Sequence, residues 1–117
     1  KKIASDNWGW KVSGSPDNHG LGYDFECTDL KGNKLYVEVK GCRKSIEAIR
    51  MTENEWDVAK EKGGQYLLVV VSNLDTNAII DRFYDPFQKF KNKAKLQPVT
   101  VTSVHIKKTD LVNNIDY

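Results

Sequence analysis

Four charged side chains stand out for their spacing. Asp24 and Glu26 alternate on one candidate strand, Glu38 and Lys40 alternate on the next, and Lys31-Gly32-Asn33 supplies turn chemistry between them. If Leu30 pairs with Lys34 across a three-residue loop, Asp24 falls opposite Lys40 and Glu26 falls opposite Glu38. Side chains directly opposite share a face of the sheet. Three carboxylates and one ammonium then gather on one side of two neighbouring strands. A slip of one residue would send the two sets to opposite faces, so the inference stands on register.

Such a cluster suits phosphodiester hydrolysis. Two carboxylates, Asp24 and Glu38, are hard oxygen ligands of the kind Mg²⁺ takes, because that ion keeps several waters and uses few protein ligands. The ion polarises a phosphate and lowers the pKa of water. A neighbouring lysine offsets charge developing at the phosphate or helps to place the attacking water. The backbone carbonyl of Val39, between Glu38 and Lys40, offers one more oxygen. On spacing alone the same residues also read as the paired charges of a solvated hairpin, since glutamate and lysine often share a strand face.

Holding these groups in place takes a sheet. Tyr23 to Leu30 and Lys34 to Gly41 are the predicted strands. The second alternates, with Leu35, Val37 and Val39 on one face and Tyr36, Glu38 and Lys40 on the other. Ahead of them, Lys1 to Asn7 reads as a short helix. Trp8-Gly9-Trp10 and Val12 read as a strand or its entry, and Ser13 to Gly22 as a loop. Cys42 to Arg50 is less regular. Thr52-Glu53-Asn54-Glu55 is a capping box that opens a helix running to about Lys62 and stopping at Gly63-Gly64, with Trp56 and Ala59 toward the core. Tyr66 to Ser72 is a continuous, valine-rich apolar run, the pattern of a central strand buried on both faces. A turn at Asn73 to Asn77, a strand from Ala78 to Tyr84 and a short helix begun by Asp85-Pro86 follow. A last strand is expected over Val99 to Ile106, and Asp110 to Tyr117 reads as a frayed tail. The fold class is α/β, a mixed central β-sheet flanked by helices.

The 117 residues give room for one domain with one core, and 39% hydrophobic with 29% charged residues fits a globular chain. The longest purely apolar run, Leu67 to Val71, is far too short to cross a bilayer, so no membrane partner is expected. No charged-then-apolar leader opens the chain, and an intracellular setting is expected, cytoplasmic or, in a eukaryote, nuclear. The chain opens on Lys1 and its one methionine is Met51, which suggests a single domain excised from a longer multidomain protein. Cys27 and Cys42 read as free thiols. With no CxxC and only His19 and His105, zinc is not expected. The net charge of +2 is too small to imply nucleic acid by itself, but its distribution says more. No acidic residue occurs from Pro86 to Thr109, where Lys89, Lys91, Lys93, Lys95, Lys107 and Lys108 make a local positive field. That field reads either as a solvated face or as a phosphate-facing surface.

Resemblance adds to this reading. Gly22-Tyr23-Asp24, a turn, and Val37-Glu38-Val39-Lys40-Gly41 resemble the D…(D/E)xK signature of the PD-(D/E)XK nuclease superfamily. The ordered series is more specific: Gly9-Trp10-Lys11-Val12, Gly22 to Glu26, Tyr36 to Gly41, Thr52 to Trp56, Tyr66 to Val70 and Asp85-Pro86-Phe87. It resembles the domain family named after the C-terminal domain of the plant protein NO VEIN, over roughly residues 8–90. The resemblance implies a restriction-endonuclease-like core. It implies Asp24 and Glu38 as ligands of Mg²⁺ or Mn²⁺ and Lys40 as the catalytic lysine. It also implies a setting in restriction, defence or DNA processing, often beside helicase or ATPase modules. Many superfamily members place an acid on an N-terminal helix, for which Asp6 is a weak match here. Glu26 is outside the usual triad and rests on the hairpin geometry alone.

Other residues carry two readings each. Trp8 and Trp10 suit sheet packing, with base stacking as the alternative. His19, in the loop before Asp24, is either an exposed loop histidine or a general base. Arg43 and Lys44, directly after the motif, reach phosphate or solvent. Gln65 packs at the start of the central strand or lends a polar group to the site. Three functions compete: a Mg²⁺-dependent nuclease acting on DNA, a catalytically silent module that binds or senses nucleic acid, and a protein-interaction domain. A homodimer is compatible with each. No P-loop occurs, so any ATPase would lie elsewhere in the parent chain.

Overall fold

The structure, a computed structural model, describes the backbone of residues 8–14, 21–45, 48–93, 95–97 and 103–116, and the side chains of these apart from 13, 14, 95–97 and 103. In chain order its elements are β1 (Lys11–Gly14), β2 (Phe25–Thr28), β3 (Lys34–Gly41), β4 (Ala48–Thr52), α1 (Glu53–Lys62), a 3₁₀ turn (Gly63–Gln65), β5 (Tyr66–Ser72), β6 (Ile79–Tyr84), α2 (Pro86–Phe90), β7 (Lys95–Gln97), β8 (Ser103–Lys107) and α3 (Lys108–Val112). Five strands form the main sheet in the order β1-β2-β3-β5-β6, and three form a smaller one in the order β4-β8-β7. The main sheet is mixed: β3 and β5 run parallel, while β1–β2, β2–β3 and β5–β6 are antiparallel. The crossover from β3 to β5 carries β4 and α1, as a parallel pair requires.

The apolar run of β5 is explained by its place between β3 and β6, with every residue buried. Tyr66, Leu68 and Val70 join Phe83, Ile49, Met51, Ala59, Val104, Ile106 and Phe90 in one core, under α1 and the small sheet. Leu67, Val69 and Val71 join Trp10, Phe25, Cys27, Leu35 and Val37 in a second core on the opposite face. In the parallel register Glu38 stands beside Leu68 and Lys40 beside Val70, so both charged residues look toward the α1 layer.

The hairpin register differs from the expected one by two residues. Thr28 pairs with Lys34, Glu26 with Tyr36 and Phe25 with Val37. The three loop residues are Leu30-Lys31-Gly32, closed by a hydrogen bond from Asp29 N to Asn33 O at 3.0 Å. Gly32 takes φ +85°, and the Asp29 carboxylate accepts from Lys31 N at 3.0 Å and Asn33 N at 2.8 Å. An aspartate opening the turn and a glycine in the left-handed region fix this loop one position earlier than the expected one. A shift of two leaves every side chain on its face. It moves Asp24 from Lys40 toward Glu38, and Glu26 from Glu38 to Tyr36.

The capping box, the end of α1 at Gly63 and the strand over residues 79–84 match expectation. Two strands do not. β4 lies within and just beyond the stretch expected to be irregular. Its Ile49 and Met51 point inward, but its partner β8 is more than fifty residues on, beyond the reach of local pattern. β7 is only three residues long. β8 begins at Ser103, and residues 99–102 of the expected last strand lie outside the described ones, as do the expected helix over 1–7 with Asp6 and the loop residues 15–20 with His19.

The expected frayed tail is instead built in. α3 opens it, with Leu111 in the core, and Asp116 docks on the outer edge of β6. Asp116 N donates to Arg82 O, and its carboxylate accepts from Tyr84 N, both at 2.7 Å. The Lys89 ammonium lies 2.7 Å from the same carboxylate and also donates to Tyr84 O. Asp116→Ala leaves the Tyr84 N–H without its acceptor and the Lys89 ammonium without its charged partner. A loss of about 1–3 kcal/mol in unfolding free energy is expected, read from urea denaturation, and an unchanged midpoint would mean that the segment contributes nothing to the fold.

Candidate active site

Asp24 immediately precedes β2, at the point where the chain comes off α1. Gly22 sets that approach: it has φ +80°, and a Cβ there would lie 2.5 Å from Val58 Cγ2. Its carbonyl accepts from the Tyr66 hydroxyl at 2.8 Å. Asp24 N then donates to Val37 O at 2.8 Å, and Asp24 Oδ2 accepts from Val39 N at 2.8 Å. The Asp24 carboxylate is thereby held against the backbone of β3 between Glu38 and Lys40, beyond the last rung of the β2–β3 ladder.

Glu38 is buried at 4% exposure. The Lys40 ammonium lies 3.1 Å from Glu38 Oε2 and 2.7 Å from Glu55 Oε1. Glu55 is the third residue of α1 and the reciprocal partner in its capping box. Thr52 N donates to Glu55 Oε1 at 2.9 Å, and Glu55 N donates to Thr52 Oγ1 at 3.1 Å. The expected triad of Asp24, Glu38 and Lys40 is thus brought to one face, and a further carboxylate joins it from α1.

The charges do not balance. Burial, followed by the hydrogen bond and charge of Glu55, pushes the Glu38 carboxyl from an ordinary 4.5 up to about 8. Burial acts against the Glu55 carboxylate too, but hydrogen bonds with Glu38, Lys40 and the Thr52 backbone outweigh it and hold Glu55 below the usual range. Burial likewise disfavours the Lys40 ammonium, and Glu55 and Glu38 outweigh it, leaving Lys40 above an ordinary lysine. Burial first, and then Glu38, Glu55 and Asp24, pushes the Tyr66 phenol upward, so it stays a hydrogen-bond donor.

Among the described residues no three His, Cys, Asp or Glu side chains form a ready metal cage, and the Lys40 ammonium contacts both Glu38 and Glu55. The donor set nevertheless fits a hard divalent cation. Asp24, Glu38 and Glu55 with the Val39 carbonyl are all oxygen; against the one ammonium they leave an excess of one negative charge while Glu38 keeps its proton and of two once it is released.

The other candidates lie apart. Glu26 binds the Lys34 ammonium and the Tyr23 hydroxyl, each at 2.8 Å, on the hairpin side of Tyr36. Gln65 reaches the Lys34 carbonyl at 3.5 Å, at the opposite end of β3 from Lys40. Arg43 is exposed and paired with Asp75 at 3.2 Å, and Lys44 is exposed. Lys89 is taken up by Asp116, whereas Lys91, Lys93, Lys107 and Lys108 are exposed; of Lys95 only the backbone is described. Trp10 is buried, its ring centroid 4.7 Å from that of Trp8, and the Arg82 guanidinium lies over both. Both tryptophans pack with the second core. Glu55 was legible in the sequence only as a helix cap. Its contact with Lys40, fifteen residues earlier, comes from the crossover that lays α1 over β3.

The mixed sheet and its helices form a known fold. The chain superposes on Hjc, a Holliday junction resolvase from the archaeal hyperthermophile Archaeoglobus fulgidus, with a TM-score of 0.57 over 98% of this chain and 84% of that one, at 14% identity. The fold is the restriction-endonuclease-like fold of PD-(D/E)XK proteins. Residues 2–84 match the family described as Protein NO VEIN, C-terminal, and the chain belongs to that family. It is 35% identical over 68 residues to Protein NO VEIN and 37% identical over 62 residues to Protein NO VEIN-LIKE, both of Arabidopsis thaliana. These matches cover 57% and 52% of the chain but only 2% and 10% of the two relatives. No helix among the described residues is long and apolar enough to cross a membrane.

The shift at Glu38 sets a pH dependence. From pH 4.5 to about 8 the folded protein keeps a proton that the unfolded chain has released. The stability attached to Glu38 is therefore full below the lower value and is lost as pH rises through the upper one. In metal-free buffer the unfolding free energy is expected to fall across that window. Glu38→Gln, which mimics the neutral carboxyl, is expected to remove this fall and to be the more stable protein above it. Urea midpoints with the same pH slope in parent and variant would contradict the assignment.

Proposed function

We propose that this domain is a metal-dependent nuclease acting on DNA, with Asp24, Glu38 and Lys40 as its catalytic residues. The observation that carries the proposal is the convergence of these three residues on one face, where Asp24 precedes β2 and Glu38 and Lys40 end β3. The likeness of fold to a Holliday junction resolvase supports it. Asp24, Glu38 and the Val39 carbonyl would hold Mg²⁺ or Mn²⁺, and Glu55 stands close enough to join them. When bound, such an ion supplies Lewis acidity to the scissile phosphate and to the attacking water. Glu38 would release its proton to solvent if it served as a ligand. Asp24, fixed by the Val39 N–H, keeps its second oxygen free to bind. Lys40 turns its ammonium toward the phosphate and offsets charge there. The exposed Lys91, Lys93, Lys107 and Lys108 would add affinity for the backbone of DNA.

A second reading is a silent module that binds or senses nucleic acid. It is favoured by the closure of Glu38, whose carboxylate is almost fully covered and tied to Lys40. One assay separates the two. Plasmid, single-stranded and four-way-junction DNA are incubated with the domain in Mg²⁺, Mn²⁺ and EDTA, alongside Asp24→Ala, Glu38→Ala and Lys40→Ala. Cleavage in metal but not in EDTA, reduced roughly 100-fold or more by Lys40→Ala, is the expected result. Salt-sensitive retention of DNA without cleavage in either metal would favour the second reading, and a Lys40→Ala variant that cuts as fast as the parent would remove Lys40 from the site.

A further inference from the structure

We infer that Glu55 is a positioning residue for Lys40, and that through it the capping of α1 and the aim of the catalytic ammonium are set by one carboxylate oxygen. The inference rests on the nuclease reading for its purpose, but its geometry does not. Glu55 Oε1 accepts from Lys40 Nζ at 2.7 Å and from Thr52 N at 2.9 Å. The contact of Lys40 with Glu38 is longer, at 3.1 Å. All three side chains are largely covered, at 22% exposure for Lys40, 5% for Glu38 and 16% for Glu55.

A lysine carries four rotatable bonds and a compact charge, and an unanchored ammonium samples many positions. Here the anchor is itself fixed. Thr52 Oγ1 holds the Glu55 backbone, Thr52 N holds its carboxylate, and Thr52 ends β4 in the small sheet. The ammonium is therefore located by the junction of β4 with α1 as well as by its own strand. The reciprocal cap alone would need only a hydrogen-bonding side chain at the third helical position, and glutamine serves there as well as glutamate. A lysine aimed at a phosphate has use for the charge as well, because the charge holds the ammonium in register until substrate arrives and competes for it.

The difference between Glu and Gln makes the inference testable without any cleavage activity. In the whole metal-free domain, Lys40 is labelled with a limiting acylating reagent and quantified by mass spectrometry, with exposed Lys91 and Lys93 as internal references. Glu55→Gln keeps the cap, so the helix signal is expected to stay near that of the parent, with the urea midpoint lowered by the loss of the charged partner of Lys40. Lys40 labelling is expected to rise roughly tenfold, the order that loss of a charge-assisted hydrogen bond gives. Thr52→Ala removes the cap but not the ion pair, and is expected to raise Lys40 labelling far less. Where the parent cuts DNA, Glu55→Gln is expected to lower kcat with KM unchanged. Labelling of Lys40 that is the same in Glu55→Gln as in the parent would overturn the inference. If the parent proves silent toward DNA while the labelling changes as expected, the nuclease reading fails and the positioning of Lys40 by Glu55 stands.

Discussion

A glutamate buried beside a wholly apolar strand is the constraint around which this fold is arranged. Glu38 stands next to Leu68 on β5, almost out of contact with solvent. A carboxyl group in that position is tolerated only with hydrogen-bonding and charged partners. Lys40 and Glu55 supply them, and in doing so join β3 of the main sheet to the first turn of α1. Three apolar side chains of similar volume would pack there about as well, since buried ion pairs seldom add net stability. The presence of the charged trio therefore says more about chemistry than about folding. With Asp24 included, one ammonium stands among three carboxyl groups.

Much of this arrangement is legible in short stretches of the chain. The two-residue alternation of β3 and the continuous apolar run of β5 are strong local signals, and both elements lie where the pattern puts them. So is the capping box, which dictates its own geometry within four residues. The face on which Asp24, Glu38 and Lys40 meet is legible too, because an error of two in hairpin register preserves parity. The correct register is encoded in Asp29 and Gly32, whose turn chemistry specifies the loop more sharply than the Lys31-Gly32-Asn33 triplet does.

What is not legible depends on distant partners. β4 is a strand because β8 lies beside it, and nothing near residues 48–52 announces that pairing. Glu55 looks complete as a helix cap, and only the crossover that lays α1 over β3 reveals its second contact. The docked segment around Asp116 is polar and short, the profile of a frayed end, and it is ordered by an edge strand some thirty residues earlier. The lysine-rich stretch divides for the same reason: Lys89 is consumed by Asp116, while Lys91 and Lys93 stay exposed to solvent or phosphate. Local patterns report the elements, and long-range contacts decide which charges are left over.

Soaking crystals with Mn²⁺ and recording anomalous scattering addresses the central claim most directly, because it locates a cation without reference to catalysis. The account predicts one strong peak in contact with the Asp24 and Glu38 carboxylates, with the Lys40 ammonium moved away from Glu38. A clean map around those carboxylates at saturating Mn²⁺, or a peak confined to another part of the surface, would contradict it.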